Sequence, residues 1–552
     1  MTASTDYDAS AFRAVLEHEF TYLAGFRRNT HRYAGRTAMS DPETGRSWTY
    51  AELGAEVDRL AAGLAAYGVR PGDTVVYQLF NSPEFALLYL AAQACGAVGA
   101  PVNFRLAPGE TAYILDDSAP KVFVYDASLA GHAGDALKLA GHRPEVVAAV
   151  GEPGDGGLAR SDAVAFADLF AADGAARPEP AGSAYGETTR LYTSGTTGMP
   201  KGVGLNSMVE VLSAHDVIMH FPLSPEDRTL NMTPWFHRGG LYSGGPNPVF
   251  YAGAEVVPVR AFDADLVLDH VARRGITFLI GAPTNLEMLT SAQLRRPRDL
   301  SSLRGIVTMG APLTREACLR YQDVLTPLIF NGYGTTETFW NTFLRPADLP
   351  AHAGSAGRAC TDDDVAVVRV LEDRRAEPHE TVARDGAEIG EVIVRSPKSG
   401  YHYTHAPETN VRKFHDGWLY TGDLATWDAD EYVTIVGRRD DMIVTGGENV
   451  HPAQVEEALN DHVGVADSLV VGVPDERWGR LVVAYVVPAD PSLTAADCEA
   501  HCRAHPMLGA YKRPRAYRFV EALPLNATGK KLHYKAAEGA PEEYANGLFT
   551  AP

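Results

Sequence analysis

The feature that most constrains the fold of this 552-residue chain is a repeated succession of an amphipathic helix and a short apolar strand. In the first unit Val57, Leu60 and Leu64 recur near helical spacing, and an apolar run over residues 74–77 follows a Pro-Gly turn. The same order returns over residues 83–102, 108–125 and 208–231. Because a helix between two strands allows those strands to run parallel, the pattern predicts an α/β fold of stacked layers with mainly parallel sheets.

The alternation resumes after residues 151–186, a stretch rich in Gly, Ala, Asp and Pro that we interpret as a surface connection. It leads to strands predicted over residues 303–309 and 327–331, and each strand meets a glycine turn, 310–312 and 332–334. Ligands of open α/β sheets bind at the carboxyl ends of strands. We therefore expect both turns to line a site.

The last third of the chain changes character. Shorter, β-rich segments begin near residue 363, and a compact α+β pattern follows the charged break around Asp440. We place a domain boundary there, which divides the chain into a large N-terminal domain, residues 1–439, and a small C-terminal domain, residues 440–552.

Charge and cysteine usage exclude some classes of function. A formal net charge of −21 argues against nucleic acid as a partner, because phosphate backbones bind basic surfaces. The cysteines lack a second Cys/His pair at zinc spacing, so we expect buried thiols in a reducing compartment. They are Cys95, Cys318, Cys360, Cys498 and Cys502.

No part of the sequence indicates export or a membrane span. The acidic N-terminus lacks the profile of a signal peptide. Residues 85–102 carry no charge, but they contain Gly96, Gly99 and Pro101, which fits a core helix and strand better than a membrane helix. We expect a cytoplasmic protein.

The stretch Leu191-Tyr-Thr-Ser-Gly-Thr-Thr-Gly-Met-Pro-Lys-Gly202 has the chemistry of a phosphate-binding loop. Glycines let the backbone approach an anion, and the hydroxyls and Lys201 can donate to phosphate oxygens. The stretch lacks the Gly-Lys-Ser/Thr ending of a Walker loop and the third glycine of a dinucleotide fingerprint. Its composition alone leaves open an ordinary flexible connection.

Four further motifs accompany this loop: Asn331-Gly-Tyr-Gly-Thr-Thr-Glu337, Tyr420-Thr-Gly-Asp423, Gly437-Arg438 and Gly529-Lys530. In this order and spacing, the chain resembles the adenylate-forming superfamily from residue 48 to residue 530. That superfamily includes acyl- and aryl-CoA synthetases, adenylation domains of peptide synthetases and beetle luciferases. The resemblance implies a large N-terminal domain with a β-rich part and a small, mobile C-terminal domain that swings about Asp440.

The resemblance also implies roles for individual residues. Lys530 is the catalytic cation at the α-phosphate, and Glu337 with Thr196 holds Mg²⁺, which prefers oxygen ligands. The remaining implied ATP-binding residues lie in the loop, the two glycine turns and the later motifs. They are Thr193, Ser194, Gly195, Thr196, Thr197, Gly198, Lys201, Gly310, Ala311, Pro312, Asn331, Gly332, Tyr333, Gly334, Thr335, Thr336, Asp423 and Arg438.

The implied reaction has two half-reactions: ATP and a carboxylic acid give acyl-AMP and pyrophosphate, and a nucleophile then displaces AMP. Coenzyme A (CoA) is the favoured nucleophile, because an aromatic ring can stack on its adenine and an arginine can bind its phosphate. The residues that resemble a CoA site are Gly446, Gly447, Trp478, Tyr511 and Arg513. Exposed residues that merely stabilise a small domain remain the alternative.

The acid pocket is identified by Pro234-Trp-Phe-His-Arg-Gly-Gly240, which resembles the family segment whose His237 lines the acid site. His237 is a poor partner for a substrate ammonium group, so a free α-amino acid is disfavoured. Arg238, Gly239 and Phe339 complete the predicted pocket, with the aromatic ring favouring an aryl or short-to-medium acyl acid and Arg238 a second polar group.

Several alternatives stay open. The adenylate could be transferred to a carrier protein, an oxyanion such as nitrite could be activated instead to modify an aryl amine, or the fold could serve as a nucleotide sensor. The retained Lys530, Glu337 and Asp423 argue against a sensor. The expected partner is a small carboxylic acid, and a homodimer stays an open alternative.

Overall fold

The computed structural model describes residues 9–152, 163–179, 182–194, 199–371, 374–439, 441–525 and 531–552. Within these ranges the helices are α1 Ala9–His18, α2 Tyr22–Arg32, α3 Tyr50–Ala66, α4 Pro83–Ala94, α5 Pro108–Ser118, α6 Ala130–Leu139, α7 Ser207–His220, α8 Arg238–Tyr242, α9 Pro246–Ala252, α10 Ala264–Arg274, α11 Pro283–Arg295, α12 Arg315–Val324, α13 Pro407–Lys413, α14 Pro452–Asn460, α15 Ala495–Ala504 and α16 His533–Ala545.

The strands in the same ranges are β1 Thr37–Ser40, β2 Ser47–Thr49, β3 Thr74–Gln78, β4 Val98–Pro101, β5 Val122–Asp126, β6 Val146–Val150, β7 Val164–Ala165, β8 Glu187–Ser194, β9 Pro200–Asn206, β10 Arg228–Asn231, β11 Glu255–Val257, β12 Phe278–Gly281, β13 Gly305–Met309, β14 Ile329–Thr335, β15 Phe339–Leu344, β16 Arg358–Ala359, β17 Asp364–Val368, β18 Gly390–Arg395, β19 Phe414–His415, β20 Trp418–Trp427, β21 Val433–Arg438, β22 Ile443–Thr445, β23 Glu448–Val450, β24 Val465–Asp475, β25 Gly479–Pro488 and β26 Ala516–Phe519.

Two large sheets form the main body, as the helix and strand alternation predicts. One has the order β7-β6-β5-β3-β4-β8-β9 and is parallel except for β9. The other has the order β16-β15-β14-β13-β12-β10-β11-β1-β2, with parallel strands from β1 to β14 and antiparallel strands at both edges. The α/β class with mainly parallel sheets is confirmed.

The largest hydrophobic cluster joins these two sheets. It contains Val75 and Val124 from the first sheet and Phe278 and Val307 from the second. Helix α4 is buried along nearly its whole length in this cluster, beginning at the Ser82 cap. The uncharged stretch around α4 is therefore core, and no helix in the described ranges is both long and apolar enough to span a membrane.

The β-rich and α+β segments follow in the predicted order. Strands β17 to β21 form an antiparallel sheet. We call residues 441–552 the C-terminal region; it contains the β22–β23 hairpin and a three-stranded sheet, β24-β25-β26, with its own hydrophobic clusters. The five cysteines are buried and unpaired, as expected.

Two local predictions are wrong. Strand β14 does not end at residue 331 but continues to Thr335, because it pairs with β15 in an antiparallel hairpin across the predicted glycine turn. In the predicted surface connection, β7 adds a strand to the first sheet, and Leu169 is buried in the main cluster. Apolar residues that pack after long sequence separation give no local periodicity, so this part of the stretch escapes pattern analysis.

Candidate functional site

The phosphate-binding loop connects β8 to β9, which pair antiparallel with Thr193 opposite Lys201. Gly195, Thr196, Thr197 and Gly198 lie outside the described residues, as does the side chain of Ser194. The Lys201 ammonium donates to Thr409 Oγ1 at 3.1 Å. Burial and the nearby Arg412 and Lys413 lower its pKa, so the hairpin brings Lys201 into a cationic region suited to polyphosphate.

Glu337 is buried beside this cationic region. Its Oε1 accepts a hydrogen bond from the Tyr403 hydroxyl at 2.6 Å, and its carbonyl oxygen accepts one from the Gly400 amide at 2.8 Å. Burial and the Glu337 charge raise the pKa of Tyr403, so the phenol remains a donor. The hydrogen bond from Tyr403 thus orients one carboxylate oxygen of Glu337. The carboxylate remains suited to bind a hard cation such as Mg²⁺.

The two predicted turns lie side by side. Strands β13 and β14 are parallel, and Met309 is opposite Gly332, so residues 310–312 follow directly beside Tyr333. Gly334 allows the close approach of β15, since a Cβ there would lie 1.5 Å from the carbonyl oxygen of Phe339. The strand arrangement therefore brings Gly310, Ala311 and Pro312 to the same sheet edge as Tyr333 and Thr335.

Asn331 lies beneath this sheet edge and is not on its exposed surface. It is buried, and its Nδ2 donates to the carbonyl oxygen of Ser355 at 3.1 Å. The Thr335 and Thr338 hydroxyls lie 3.0 Å apart and share a hydrogen bond across the turn of the β14–β15 hairpin. The turn is thereby held in one conformation.

Asp423, Arg438 and Tyr333 form a second polar group. Asp423 on β20 is opposite Arg438 on β21, and Nη1 of Arg438 lies 2.5 Å from Asp423 Oδ1. The Tyr333 hydroxyl donates to Asp423 Oδ2 at 2.7 Å. The structure thus joins three residues that the sequence motifs place in separate segments.

His237 meets the C-terminal region at Glu448. Its Nε2 lies 3.3 Å from Glu448 Oε2, and Glu448 also accepts hydrogen bonds from Asn103 Nδ2 at 3.0 Å and Arg105 Nη1 at 2.9 Å. Burial opposes the charge of Glu448, but His237 and Arg105 lower its pKa below the ordinary value. Glu448 directly follows the Gly446-Gly447 pair. This position was the sequence signal for a site residue, and the sequence analysis missed it.

The three other predicted pocket residues lie around the β14–β15 hairpin. Arg238 is buried, with its guanidinium carbon 5.6 Å from the centre of the Phe339 ring. Gly239 packs on Met309 at the end of β13. Phe339 has a positive φ of 64°, a left-handed conformation that is strained for an aromatic residue, and it stacks on Trp340.

The predicted CoA-binding residues fall into two groups. Gly446 has a φ of +56° and donates from its amide to the Trp478 carbonyl oxygen at 2.8 Å, and a Cβ there would lie 2.9 Å from the indole. Gly447, with a φ of +80°, continues this loop toward Glu448. Burial and the negative charge of Glu448 raise the pKa of Tyr511. Arg513 pairs instead with Glu499 at 3.0 Å, within the C-terminal region.

Asp440 and Lys530 lie outside the described residues. The neighbouring Lys531 ammonium pairs with Asp467 at 2.8 Å and Glu456 at 3.2 Å. His533 also pairs with Glu456, at 2.6 Å. These partners are all in the C-terminal region.

A buried ionic cluster behind β15 was not predicted. The Lys398 ammonium lies 2.8 Å from Asp216 Oδ2 and 3.1 Å from Asp363 Oδ2, and it donates to the Trp340 carbonyl oxygen at 2.9 Å. Asp216 also pairs with His220 at 3.1 Å. Asp216, His220 and Cys360 have metal-ligand spacing, but the Lys398 ammonium already supplies the positive charge.

Comparison with known proteins identifies the family. Residues 26–403 match the model of the AMP-binding enzyme, and residues 454–530 match that of the AMP-binding enzyme C-terminal domain. A feruloyl-CoA synthase of Amycolatopsis sp is 35% identical over 88% of this chain and 93% of its own length. An indoleacetate–CoA ligase of Aromatoleum aromaticum is 34% identical over 90% and 93%.

Solved structures agree with this assignment. The amide bond synthetase McbA from Marinactinospora thermotolerans superposes with a TM-score of 0.81 at 28% identity, covering 94% of this chain and 99% of that one. The o-succinylbenzoate CoA synthetase of Bacillus subtilis, bound to a product analogue, gives a TM-score of 0.78 at 27% identity, covering 93% and 97%. The chain therefore belongs to the AMP-binding enzyme family, the adenylate-forming enzymes, and is an AMP-forming acid–thiol ligase.

Proposed function

We propose that this enzyme joins an aryl or short-to-medium acyl carboxylic acid to CoA, with ATP and Mg²⁺. The observation that carries the proposal is the contact between His237 and Glu448, because it brings the loop of Gly446 and Gly447 to the predicted acid site. In this proposal a phosphate-binding region, an acid site and a thiol-access loop border one cleft. This combination is what the two half-reactions need.

In the first half-reaction, a carboxylate oxygen of the acid bonds to the α-phosphorus of ATP, and the bond to the pyrophosphate oxygen breaks. Lys201 and the hydroxyls of the phosphate-binding loop hold the β- and γ-phosphates, and Asp423 accepts hydrogen bonds from the ribose. Lys530 stabilises charge that develops at the α-phosphate. Glu337 and Thr196 would hold Mg²⁺, and the bound ion would supply positive charge to the phosphates.

In the second half-reaction, the CoA sulfur bonds to the acyl carbon, the bond to AMP breaks, and the thiol proton is released. Gly446 and Gly447 leave a path for the narrow pantetheine arm, and the exposed indole of Trp478 stacks on the adenine of CoA. Tyr511 and Arg513 complete this surface in the proposal. The contact of Glu448 with His237, and the pairing of Lys531 with Asp467 within the C-terminal region, support assigning this arrangement to the second half-reaction.

The division between the two moving parts is also a proposal. A hinge at Asp440 would separate residues 1–439 from residues 440–552 and let the smaller part present Lys530 first and the Gly446 loop second. Support comes from the position of Asp440 between β21 and β22, two strands that belong to different sheets. Closure by such a part also keeps water from the acyl-AMP.

The identity of the acceptor can be tested against two alternatives that the comparisons raise. One similar protein is an amide bond synthetase, and another is a fatty acid–carrier-protein ligase of Streptomyces coeruleorubidus, 33% identical over 88% of this chain. Trp478, which lies between β24 and β25 and contacts the Gly446 loop, favours CoA, because a carrier protein delivers its thiol without a free adenine. We assign the acid to the aryl or short-to-medium acyl class because the stacked rings of Phe339 and Trp340 would narrow a pocket at this position.

The deciding experiment incubates the protein with ATP, Mg²⁺ and a panel of acids, with and without CoA, and measures pyrophosphate and products by mass spectrometry. Acid-dependent pyrophosphate with an acyl-CoA product is the expected result. Pyrophosphate without a thioester would contradict CoA as acceptor and direct the search to carrier proteins or amines. Absence of pyrophosphate with every carboxylic acid would contradict the first half-reaction and favour another oxyanion.

A further inference from the structure

Arg238 is a buried cation bonded to neutral acceptors. Only 4% of the residue is exposed. Its Nη2 donates to Ser213 Oγ at 3.1 Å and to the Lys398 carbonyl oxygen at 3.0 Å, and its Nη1 donates to the Thr336 carbonyl oxygen at 3.3 Å. These three acceptors leave the positive charge of the guanidinium without a direct counterion.

Among the described residues, the hydrogen-bond partners of Arg238 are all neutral oxygens, and no carboxylate pairs with it within 4.0 Å. The buried carboxylate of Glu210 is engaged elsewhere, by Thr189 at 2.6 Å and by Asn247 at 2.8 Å. The Nε of Arg238 is buried and has no hydrogen-bond partner among the described residues. Glu210 and Glu337 act on Arg238 only from beyond ion-pair distance. A buried charge is costly unless its donors are satisfied, so the Nε–H still lacks a close acceptor.

The position of Arg238 points to the source of that acceptor. Arg238 is the first residue of α8 and directly follows His237, and its guanidinium lies 4.5 Å from the Tyr242 ring centre and 5.6 Å from that of Phe339. The acceptor Thr336 belongs to the turn between Tyr333 and Glu337. The guanidinium therefore lies beside two residues of the proposed acid pocket, His237 along the chain and Phe339 in space.

We propose that Arg238 binds a second anionic group of the acid substrate, such as a second carboxylate, at the end of the pocket away from the reacting carboxylate. The proposal rests on the function proposed above and names the substrate class: acids with two anionic groups. The second group would accept from the free Nε–H and supply a counterion in direct contact. Charge-assisted bonds of this kind discriminate strongly, because the unpaired arrangement is itself unfavourable.

The wild-type enzyme provides the first test. Pairs of acids with the same skeleton are compared by acid-dependent pyrophosphate release: hexanoate with adipate, and 4-methylbenzoate with terephthalate. We expect kcat/KM to be higher for the diacid of at least one pair by about 10- to 100-fold. Equal or higher values for both monoacids would overturn the proposal, while the monoacid activity would leave the proposed ligase function intact.

Variants of Arg238 separate recognition from structure. Arg238→Met removes the charge, Arg238→Lys keeps it, and Arg320→Met is a matched control at an arginine that is 45% exposed in its side chain. For Arg238→Met we expect the diacid preference to disappear with an unchanged KM for ATP, and for Arg238→Lys we expect partial retention. The control should behave as wild type.

One outcome with these variants would contradict the assignment. Equal loss of kcat/KM for monoacid and diacid in Arg238→Met would show that Arg238 only ties α8 to α7 and the hairpin turn. If Arg238→Met does not fold, as measured by circular dichroism, Arg238→Lys and the wild-type pairs still decide the matter. Failure of the ligase function looks different, since the wild type would then release no pyrophosphate with any acid.

Discussion

Lys201 and Lys398 lie in two regions that differ in how the positive charge of the lysine is balanced. Lys398 is buried between two aspartates, which with Cys360 hold its pKa above the ordinary value although burial opposes the charge. Lys201 is half-buried among cations, with a lowered pKa and a hydroxyl as its hydrogen-bond partner. A charge that the protein neutralises is structural, whereas a charge left to a ligand indicates a binding site.

Arg238 combines features of both regions. It is as buried as Lys398, but like Lys201 it has neutral hydrogen-bond acceptors. By the same reasoning it belongs with the binding residues. Each of the following changes tests one side of this contrast.

Lys398→Met is expected to have the largest effect. Removing one partner of a buried ion pair leaves Asp216 and Asp363 with uncompensated charge, which costs about 3–5 kcal/mol. Urea denaturation should show this loss in the free energy of unfolding. Lys138→Met, at a side chain that is 77% exposed, serves as control, and a loss below about 1 kcal/mol in Lys398→Met would refute a structural role.

Lys530→Ala should mainly impair the first half-reaction. Loss of a preplaced cation at developing charge lowers rates by about 10²- to 10³-fold. Pyrophosphate release should fall by that factor, while thioester formation from synthetic acyl-AMP should change only slightly. Equal loss in both assays would contradict the assignment of Lys530 to acyl-AMP formation.

Lys201→Ala should weaken ATP binding with little loss of stability. A charge-assisted bond to phosphate contributes about 1.5–3 kcal/mol, so kcat/KM for ATP should fall by about 10- to 100-fold. Because burial, Arg412 and Lys413 lower the pKa of Lys201, wild-type activity should fall as pH rises toward that lowered value. Lys201→Arg, which stays protonated, should lack this alkaline loss; an identical pH profile would exclude titration of Lys201.

Glu448→Gln tests the contact between the regions. The glutamine side chain can still accept a hydrogen bond from Asn103, but it lacks the negative charge that pairs with His237 and Arg105. We therefore expect about a tenfold loss in the rate of thioester formation. Pyrophosphate release in single turnover should be spared. A loss confined to pyrophosphate release would mean that Glu448 serves the first half-reaction instead.

Trp478→Ala should have the smallest effect. An aromatic stack contributes about 0.5–1.5 kcal/mol beyond burial, which corresponds to a rise of roughly 2- to 13-fold in the KM for CoA. Trp478→Phe should recover most of the affinity. An unchanged KM for CoA in Trp478→Ala would remove the indole from the proposed CoA surface.

Local sequence patterns predicted most helices and strands but not which segments pair with one another in the fold. The strands after each amphipathic helix and the buried α4 followed from periodicity and turn residues. The continuation of β14 to Thr335 did not, because it depends on pairing with β15. Pairing across a hairpin can extend a strand through glycines that taken alone indicate a turn.

The site shows the same limit more sharply. Motifs supplied Glu337, Asp423 and His237, but the Tyr403 hydroxyl on Glu337 and the aspartates around Lys398 come from distant segments without a distinctive motif. Arg238, which lies in the same segment as His237, was predicted to meet a second polar group of the substrate. Its lack of a carboxylate partner among the described residues could be seen only once the fold had placed Glu210 elsewhere.

The contact of Glu448 with His237 and Arg105 has a consequence for the charge balance of the cleft. In the proposed cycle, the first half-reaction ends when an anion, pyrophosphate, leaves, and the rearrangement that follows brings the Glu448 carboxylate in. The Glu448 carboxylate thus replaces the departing pyrophosphate as the negative charge in the cleft. High pyrophosphate concentrations should then hold back this rearrangement by competing electrostatically for the same cationic cleft, and added salt should weaken the competition.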